Sequence, residues 1–176
     1  IINESGNTIT IGASGDTTNI IGTLQNDGAA VGGVNTPAFR ANASGTTSIS
    51  NASWTKINIA NEIFDVGTNY DTSNSRFTPT TSGKYIFTIK VMINNAGTFN
   101  IFRVGLYKNG SEVDALRKSY YYSAGDSATQ NQMLVSTQEA NGSGDYFEVY
   151  AYQDAGGAVN AQSGSGTSFS GFKLVE

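Results

Sequence analysis

Histidine and cysteine are both missing from this 176-residue chain. Their absence removes imidazole bases, thiol nucleophiles, disulfides and the common zinc and haem sites, leaving carboxylates and hydroxyls as the available chemistry. Proline and methionine occur 2 times each and tryptophan 1 time, and charged side chains make up only 14% of the chain. No apolar run approaches the roughly 18 residues of a membrane-spanning helix, so membrane insertion is not expected. A formal charge of -4 lacks the Lys and Arg excess that a phosphate backbone demands, and nucleic acid is not expected as a partner.

What the chain has instead is 21 Gly and an abundance of Ser, Thr and Asn for solubility, with 9 Phe and 9 Tyr for a core. That balance is globular, and the length fits one main domain with a small appendage, at the usual ~100 to 200 residues per domain. The sequence opens on Ile1 with no initiating Met and no basic-then-apolar leader, as expected of a piece of a longer polypeptide. Asn-x-Ser sequons at Asn3, Asn42, Asn51, Asn109 and Asn141 are expected by chance in so Asn- and Ser-rich a chain.

Residues 1–36 differ from the rest in their lack of aromatics. Alternations such as Thr8-Ile9-Thr10-Ile11, broken by Gly, Asn and Asp, predict a β-rich stem of short strands and tight turns, with a flexible linker as the alternative. So few large side chains cannot bury a core alone, and the stem is expected to pack on a copy of itself or on the next domain. A hinge falls at Gly28 to Asn35. From Pro37 onward, over residues 37–176, period-two alternation dominates. In Gly83 to Ile93 it puts Tyr85, Phe87, Ile89, Val91 and Ile93 on one face, and Lys84, Thr88 and Lys90 on the other. Phe102, Val104 and Leu106 continue it, and Asn109-Gly110 supplies a hairpin turn. Further strands are predicted near Glu112 to Tyr122, Gln130 to Gln138, Asp145 to Gln153 (Phe147, Val149 and Ala151 inward) and Thr167 to Val175. This spacing predicts an all-β antiparallel sandwich or barrel.

The block from Phe64 to Phe87, FDVGTNYDTSNSRFTPTTSGKYIF, resembles the signature of the complement C1q globular-head family, within the tumour-necrosis-factor-like jelly-roll superfamily. Asp65, Tyr70, Phe77, Gly83, Tyr85 and Phe87 match its acidic, aromatic, aromatic, Gly-x-Tyr-x-Phe series, while Ile59 and Ile89 stand where that family usually has aromatics. Val104 to Gly110, Gly144 to Val149 and Ser168 to Phe172 are similar to its later strands. The resemblance covers about Pro37 to Val175. It implies a ten-stranded jelly roll assembling as a homotrimer, with no single ligand attached to the fold. No Gly-x-y collagen run precedes the head. Instead, NTITIGASGDTTNIIGTL followed by VNTPAFRA resembles phage fibre or appendage stems, which implies a virion location, contacts with other virion proteins through the stem, and a distal head.

Chain order alone sorts the connections of an up-and-down antiparallel sandwich into two ends. It predicts Asn42 to Ser53, Asn94 to Phe99, Ser123 to Thr129 and Asp154 to Gly166 as distal, and Asn109-Gly110 and Asn141 to Gly144 as facing the stem. A single Gly/Ser loop reads as a mere connection, and Tyr120, Tyr121 and Tyr122 read first as packing. As a group, the distal loops are the candidate contact surface for a host-surface glycan or protein, through Asn42, Ser48, Asn51, Asn94, Asn95, Tyr122, Asp126, Asp154 and Asn160. Glu112 and Asp114 lie two apart on a strand, near glycosidase spacing, but beside Lys108, Arg117 and Lys118 they read as solvated charge. Asp71-Thr72-Ser73-Asn74 and Gly125-Asp126-Ser127 could offer oxygens to calcium, which the resemblance implies for some members. Neither has complete ligand spacing, both read as Asx-type turns, and no cofactor is assigned. Trp54 reads as structural rather than sugar-stacking. The leading expectation is a non-enzymatic virion attachment head. The alternatives are a phage capsid or tail decoration protein and a secreted or surface bacterial adhesin of the same fold.

Overall fold

The computed structural model describes residues 35–94, 101–119 and 129–174, with isolated positions among the first 34. The chain divides into two compact units, Ile1–Val34 and Asn35–Glu176. In the first, β1 (Gln25–Asn26) and β2 (Ala29–Ala30) pair antiparallel. The strands predicted around Thr8 to Ile11 lie outside the described residues.

The second unit is built of β3 (Ala38–Ala43), β4 (Thr47–Ile49), β5 (Thr55–Lys56), β6 (Asn61–Val66), β7 (Tyr70–Asp71), β8 (Arg76–Phe77) and the long β9 (Ser82–Asn94). It continues with β10 (Ile101–Lys108), β11 (Ser111–Ser119), β12 (Thr129–Asn141), β13 (Phe147–Gln153), β14 (Val159–Ala161) and β15 (Gly164–Lys173). No helix occurs among the described residues, and so none is long and apolar enough to cross a membrane. One sheet runs β12-β9-β15-β3-β6, with β14 pairing β9 beyond β15 and β4 pairing β14. The other runs β11-β10-β13-β8-β7, with β5 also on β13. Successive strands therefore cross between sheets, β9 to β10 and β11 to β12. This is the jelly roll that the resemblance implied, rather than an up-and-down sandwich. Pieces such as β5, β7 and β8 raise the number of segments above ten without changing the topology.

The period-two reading of β9 is borne out: Tyr85, Phe87, Ile89, Val91 and Ile93 are each 0% exposed. They meet Phe102, Val104, Leu106, Phe147, Val149 and Ala151 from the facing sheet, with Phe87 and Phe147 rings 4.5 Å apart. Phe39 stacks between Tyr70 at 4.9 Å and Phe77 at 4.3 Å. The family-like residues thus act together as cement. Asp65 Oδ2 accepts the Tyr70 N–H at 2.7 Å, the Tyr70 hydroxyl donates to the Ile59 carbonyl at 2.6 Å, and the Tyr85 hydroxyl donates to the Thr81 carbonyl at 2.6 Å. Burial pushes the Tyr70 phenol well above its ordinary value, so it stays a donor.

Because the long strands run end to end, the jelly roll also separates its connections into two ends. Pro37, Lys173 and Lys84 share one end with the 141–146 turn, through the Lys173 N–H to the Pro37 carbonyl and the pairing of Ser82 with Asn141. The Asn109-Gly110 turn joins them, the Asn109 N–H donating to the Tyr146 carbonyl at 3.0 Å. Residues 43–51, 94, 129 and 154–164 lie at the opposite end, as their registers require.

Candidate functional site

At that far end β4, β14, β9 and β12 carry one cross-strand row. Ser48 lies opposite Asn160, Asn160 opposite Asn94, and Asn94 opposite Thr129. Their neighbours Ile49, Val159, Ala161 and Ile93 point into the core, so alternation turns the row outward, and all four are exposed. The Thr129 hydroxyl donates to Asn94 Oδ1 at 3.1 Å.

Beside the row, the 154–158 loop is shaped from below. Gln153 is fully buried. Its Nε2 donates to the carbonyls of Ile49 at 2.9 Å and Gly157 at 2.8 Å, and its Oε1 accepts the Ala155 N–H at 2.6 Å. Asn51 Oδ1 accepts the Gly156 N–H at 2.7 Å, and Asp154 Oδ1 accepts the Ile101 N–H at 2.8 Å. Between loop and row lies a cleft of about 390 Å³, lined by Asn94, Ala155, Gly157, Val159, Asn160 and Gln162 among others. A buried amide that satisfies three backbone groups fixes such a loop more firmly than its Gly-rich sequence would by itself.

Of the residues read from sequence, Ser48, Asn94 and Asn160 come together in the row, and Asn51 and Asp154 hold the neighbouring backbone. Asn42 stands apart on β3 opposite Ser168, 9% exposed, with its Oδ1 lacking a hydrogen-bond partner among the described residues. Asn95, Tyr122 and Asp126 lie outside the described residues, as do Tyr120 and Tyr121. Gln153 and Gln162 were not singled out. The signal for Gln153 was available, since it ends the inward series Phe147, Val149, Ala151 with a polar side chain that must find partners. Nothing in its sequence context distinguishes Gln162.

The remaining candidates are engaged in structure. A bulge between Leu106 and Tyr107 puts Glu112 opposite Tyr107 and Asp114 opposite Leu106, breaking the alternation the carboxylate pair assumed. Glu112 Oε1 meets Arg103 Nη2 at 3.3 Å. Asp71 closes an Asx turn: its carboxylate accepts from Asn74 Nδ2 at 2.6 Å, and from the Ser73 hydroxyl at 2.6 Å and N–H at 2.8 Å. These bonds, that from Asn74 foremost and then Ser73, pull its pKa down to about 2. Among the described residues no group of three metal-ligating side chains gathers.

On the outer face of the second sheet, Trp54 lies over Gly105, where a Cβ would come 3.1 Å from its ring. Tyr107 and Tyr152 flank it at 5.7 and 5.8 Å, and the Arg103 guanidinium sits 4.8 Å from its centroid. Its packing role is as read. Glu148, 2% exposed, binds Lys56 Nζ at 2.6 Å and Arg76 Nη2 at 2.8 Å. Desolvation alone would raise its pKa, but hydrogen bonds and charge from Lys56 and Arg76 outweigh it and hold the carboxyl below its ordinary range.

Two antiparallel sheets in this strand order, with tight turns at the end where the chain enters the second unit, define a jelly roll. The sequence model described as the C1q domain matches residues 38–174, and the chain belongs to that family. No curated protein matches it. Among solved structures it is similar in fold to the Eiger TNF of S. frugiperda, at TM-score 0.57 and 11% identity, covering 79% of this chain and 91% of that one. It is likewise similar to murine APRIL, at TM-score 0.57 and 14% identity, covering 78% and 98%.

Proposed function

We propose that this chain is the non-enzymatic, homotrimeric head of a virion fibre or appendage, attaching the particle to a host cell surface through the end remote from its stem. The observation that carries the reading is the polar row Ser48, Asn160, Asn94 and Thr129 beside a built loop and cleft, at the end opposite the entering chain. Trimerisation is supported by exposed apolar side chains on the first sheet. Phe64 and Val66 on one edge strand (β6), Met133 and Val135 on the other (β12) and Phe172 on β15 between them are 38% to 57% exposed, offering apolar side chains to neighbouring copies. The virion setting rests on the Thr/Ile-rich, Gly-punctuated stem. The carboxylates spent on Arg103 and on the Asx turn support a binding rather than a hydrolytic role.

Purified protein is expected to compete with particle adsorption to the host, and proteins with the 154–158 loop shortened are expected to compete poorly. Equal competition by the shortened form rejects this end as the contact surface, and no competition by the intact protein rejects the attachment role. Light scattering is expected to return three times the monomer mass.

A further inference from the structure

The far-end cleft has a chemistry that limits what can enter it. Among the described residues its lining is uncharged: the carboxamides of Asn94, Asn160 and Gln162, the backbone of the 155–158 loop, and the methyl groups of Ala155 and Ala158. Carboxamides both donate and accept, as do vicinal hydroxyls, whereas anions and cations need a compensating charge that this lining lacks. The volume is at the small end of ligand sites, about that of one or two rings rather than a protein side. Asn160 is turned outward, and its side chain is engaged by no other described residue, while Gln162 donates only a long 3.5 Å bond to the Asn160 carbonyl. The backbone of the loop is held by the buried Gln153, so that wall of the cleft is shaped before a ligand arrives.

We infer that the cleft between the 154–158 loop and the Asn94–Asn160 row is a subsite for a neutral sugar ring, its hydroxyls meeting the carboxamides of Asn94, Asn160 and Gln162 and its C–H face lying on the methyl groups of Ala155 and Ala158. This deepens the attachment reading and rests on it, since it names the chemistry of the surface the head would hold. A single subsite of this kind binds weakly, and three copies on one trimer raise the avidity.

The experiment titrates the isotope-labelled full chain with glucose, galactose and N-acetylglucosamine, separately, while side-chain amide resonances are followed. At least one sugar is expected to shift the Asn94, Asn160 and Gln162 amides saturably, with a dissociation constant on the order of 1 mM. Asn160→Ala and Gln162→Ala, both at the surface, should each weaken that sugar about tenfold while the remaining spectrum stays in place. The anionic N-acetylneuraminic acid should leave these amides unmoved. No saturable shift with any neutral sugar, a shift equally strong with the anionic one, or binding unaffected by both variants overturns the inference. If the protein still competes with particle adsorption while every sugar fails, the subsite is wrong, attachment stands, and a protein receptor takes its place.

Discussion

Gly171 lies directly beneath the Phe87 ring: a Cβ there would come within 2.5 Å of Phe87 Cδ1 and 3.0 Å of the Ile86 carbonyl. Phe87 has no room to yield, being packed against Phe147 at 4.5 Å and Phe169 at 5.7 Å. Gly171→Ala is therefore expected to cost about 2 to 3 kcal/mol through overpacking, read as a lower midpoint in chemical unfolding. Glu148 is a second sensitive position. Glu148→Gln leaves Lys56 and Arg76 without their shared anion. Both cations are about one-third exposed (32% and 34%), which reduces the penalty below that of a fully buried pair, to about 2 kcal/mol in the same assay. The sequence did not reveal Glu148. A carboxylate between Phe147 and Val149 reads as the solvent side of a strand, and its partners stand 92 and 72 residues away. Most of the family-like positions were legible because they are aromatic or glycine, and the structure uses them to fill space, while Asp65 fixes the Tyr70 backbone. For the same reason they carry the fold and say nothing of a ligand.

Among the elements, the β10–β11 hairpin was readable from two residues. Asn109 and Gly110 both adopt positive φ, 54° and 80°, as a two-residue turn of this hand requires. Asn109 is further clamped, its Nδ2 donating to Asp145 Oδ1 at 2.8 Å and its Oδ1 accepting the Tyr146 N–H at 3.0 Å. Gly110→Ala meets only an ordinary contact with the Tyr146 hydroxyl, so the expected loss is backbone strain alone, about 1 kcal/mol by thermal unfolding. β12 was harder to read. Its inward face, Gln130, Gln132, Leu134 and Ser136, is mostly polar, while Met133 and Val135 point out. Binary patterning locates such a strand but inverts its faces. Gln132 reconciles the inversion by donating from Nε2 to the Leu116 carbonyl at 2.8 Å, joining the edges of the two sheets.

For the whole molecule, two behaviours follow. Met133→Glu and Val135→Glu place charge on the apolar β12 edge proposed for self-association, and together they should convert a trimer to monomers in light scattering without unfolding it, since both side chains are outward. A trimer that survives both changes excludes that edge. The second behaviour concerns acid. Asp71, Asp145 and Glu148 are all held below their ordinary values: Asp71 and Asp145 chiefly by hydrogen bonds from Asn74 and Asn109 respectively, Glu148 by its two cations against desolvation. The unfolded chain thus binds more protons. Stability from these groups is complete above the ordinary values of 3.8 and 4.5 and is lost as pH falls towards about 2. With no histidine to titrate, the thermal midpoint is expected to stay level from neutrality to about pH 5 and to decline below about pH 4. A midpoint that rises on acidification contradicts this assignment.

Gln153 separates two things that loops usually combine. The path of the 154–158 backbone is written in a side chain beneath it and in Asn51 across from it, so the outward residues of the loop carry little responsibility for its shape. Ala158 and Asn160, both exposed, could be exchanged while the scaffold persists. On the proposed attachment role, a few surface substitutions would be enough to change what this end holds, and the same freedom is open to anyone who wishes to redirect it.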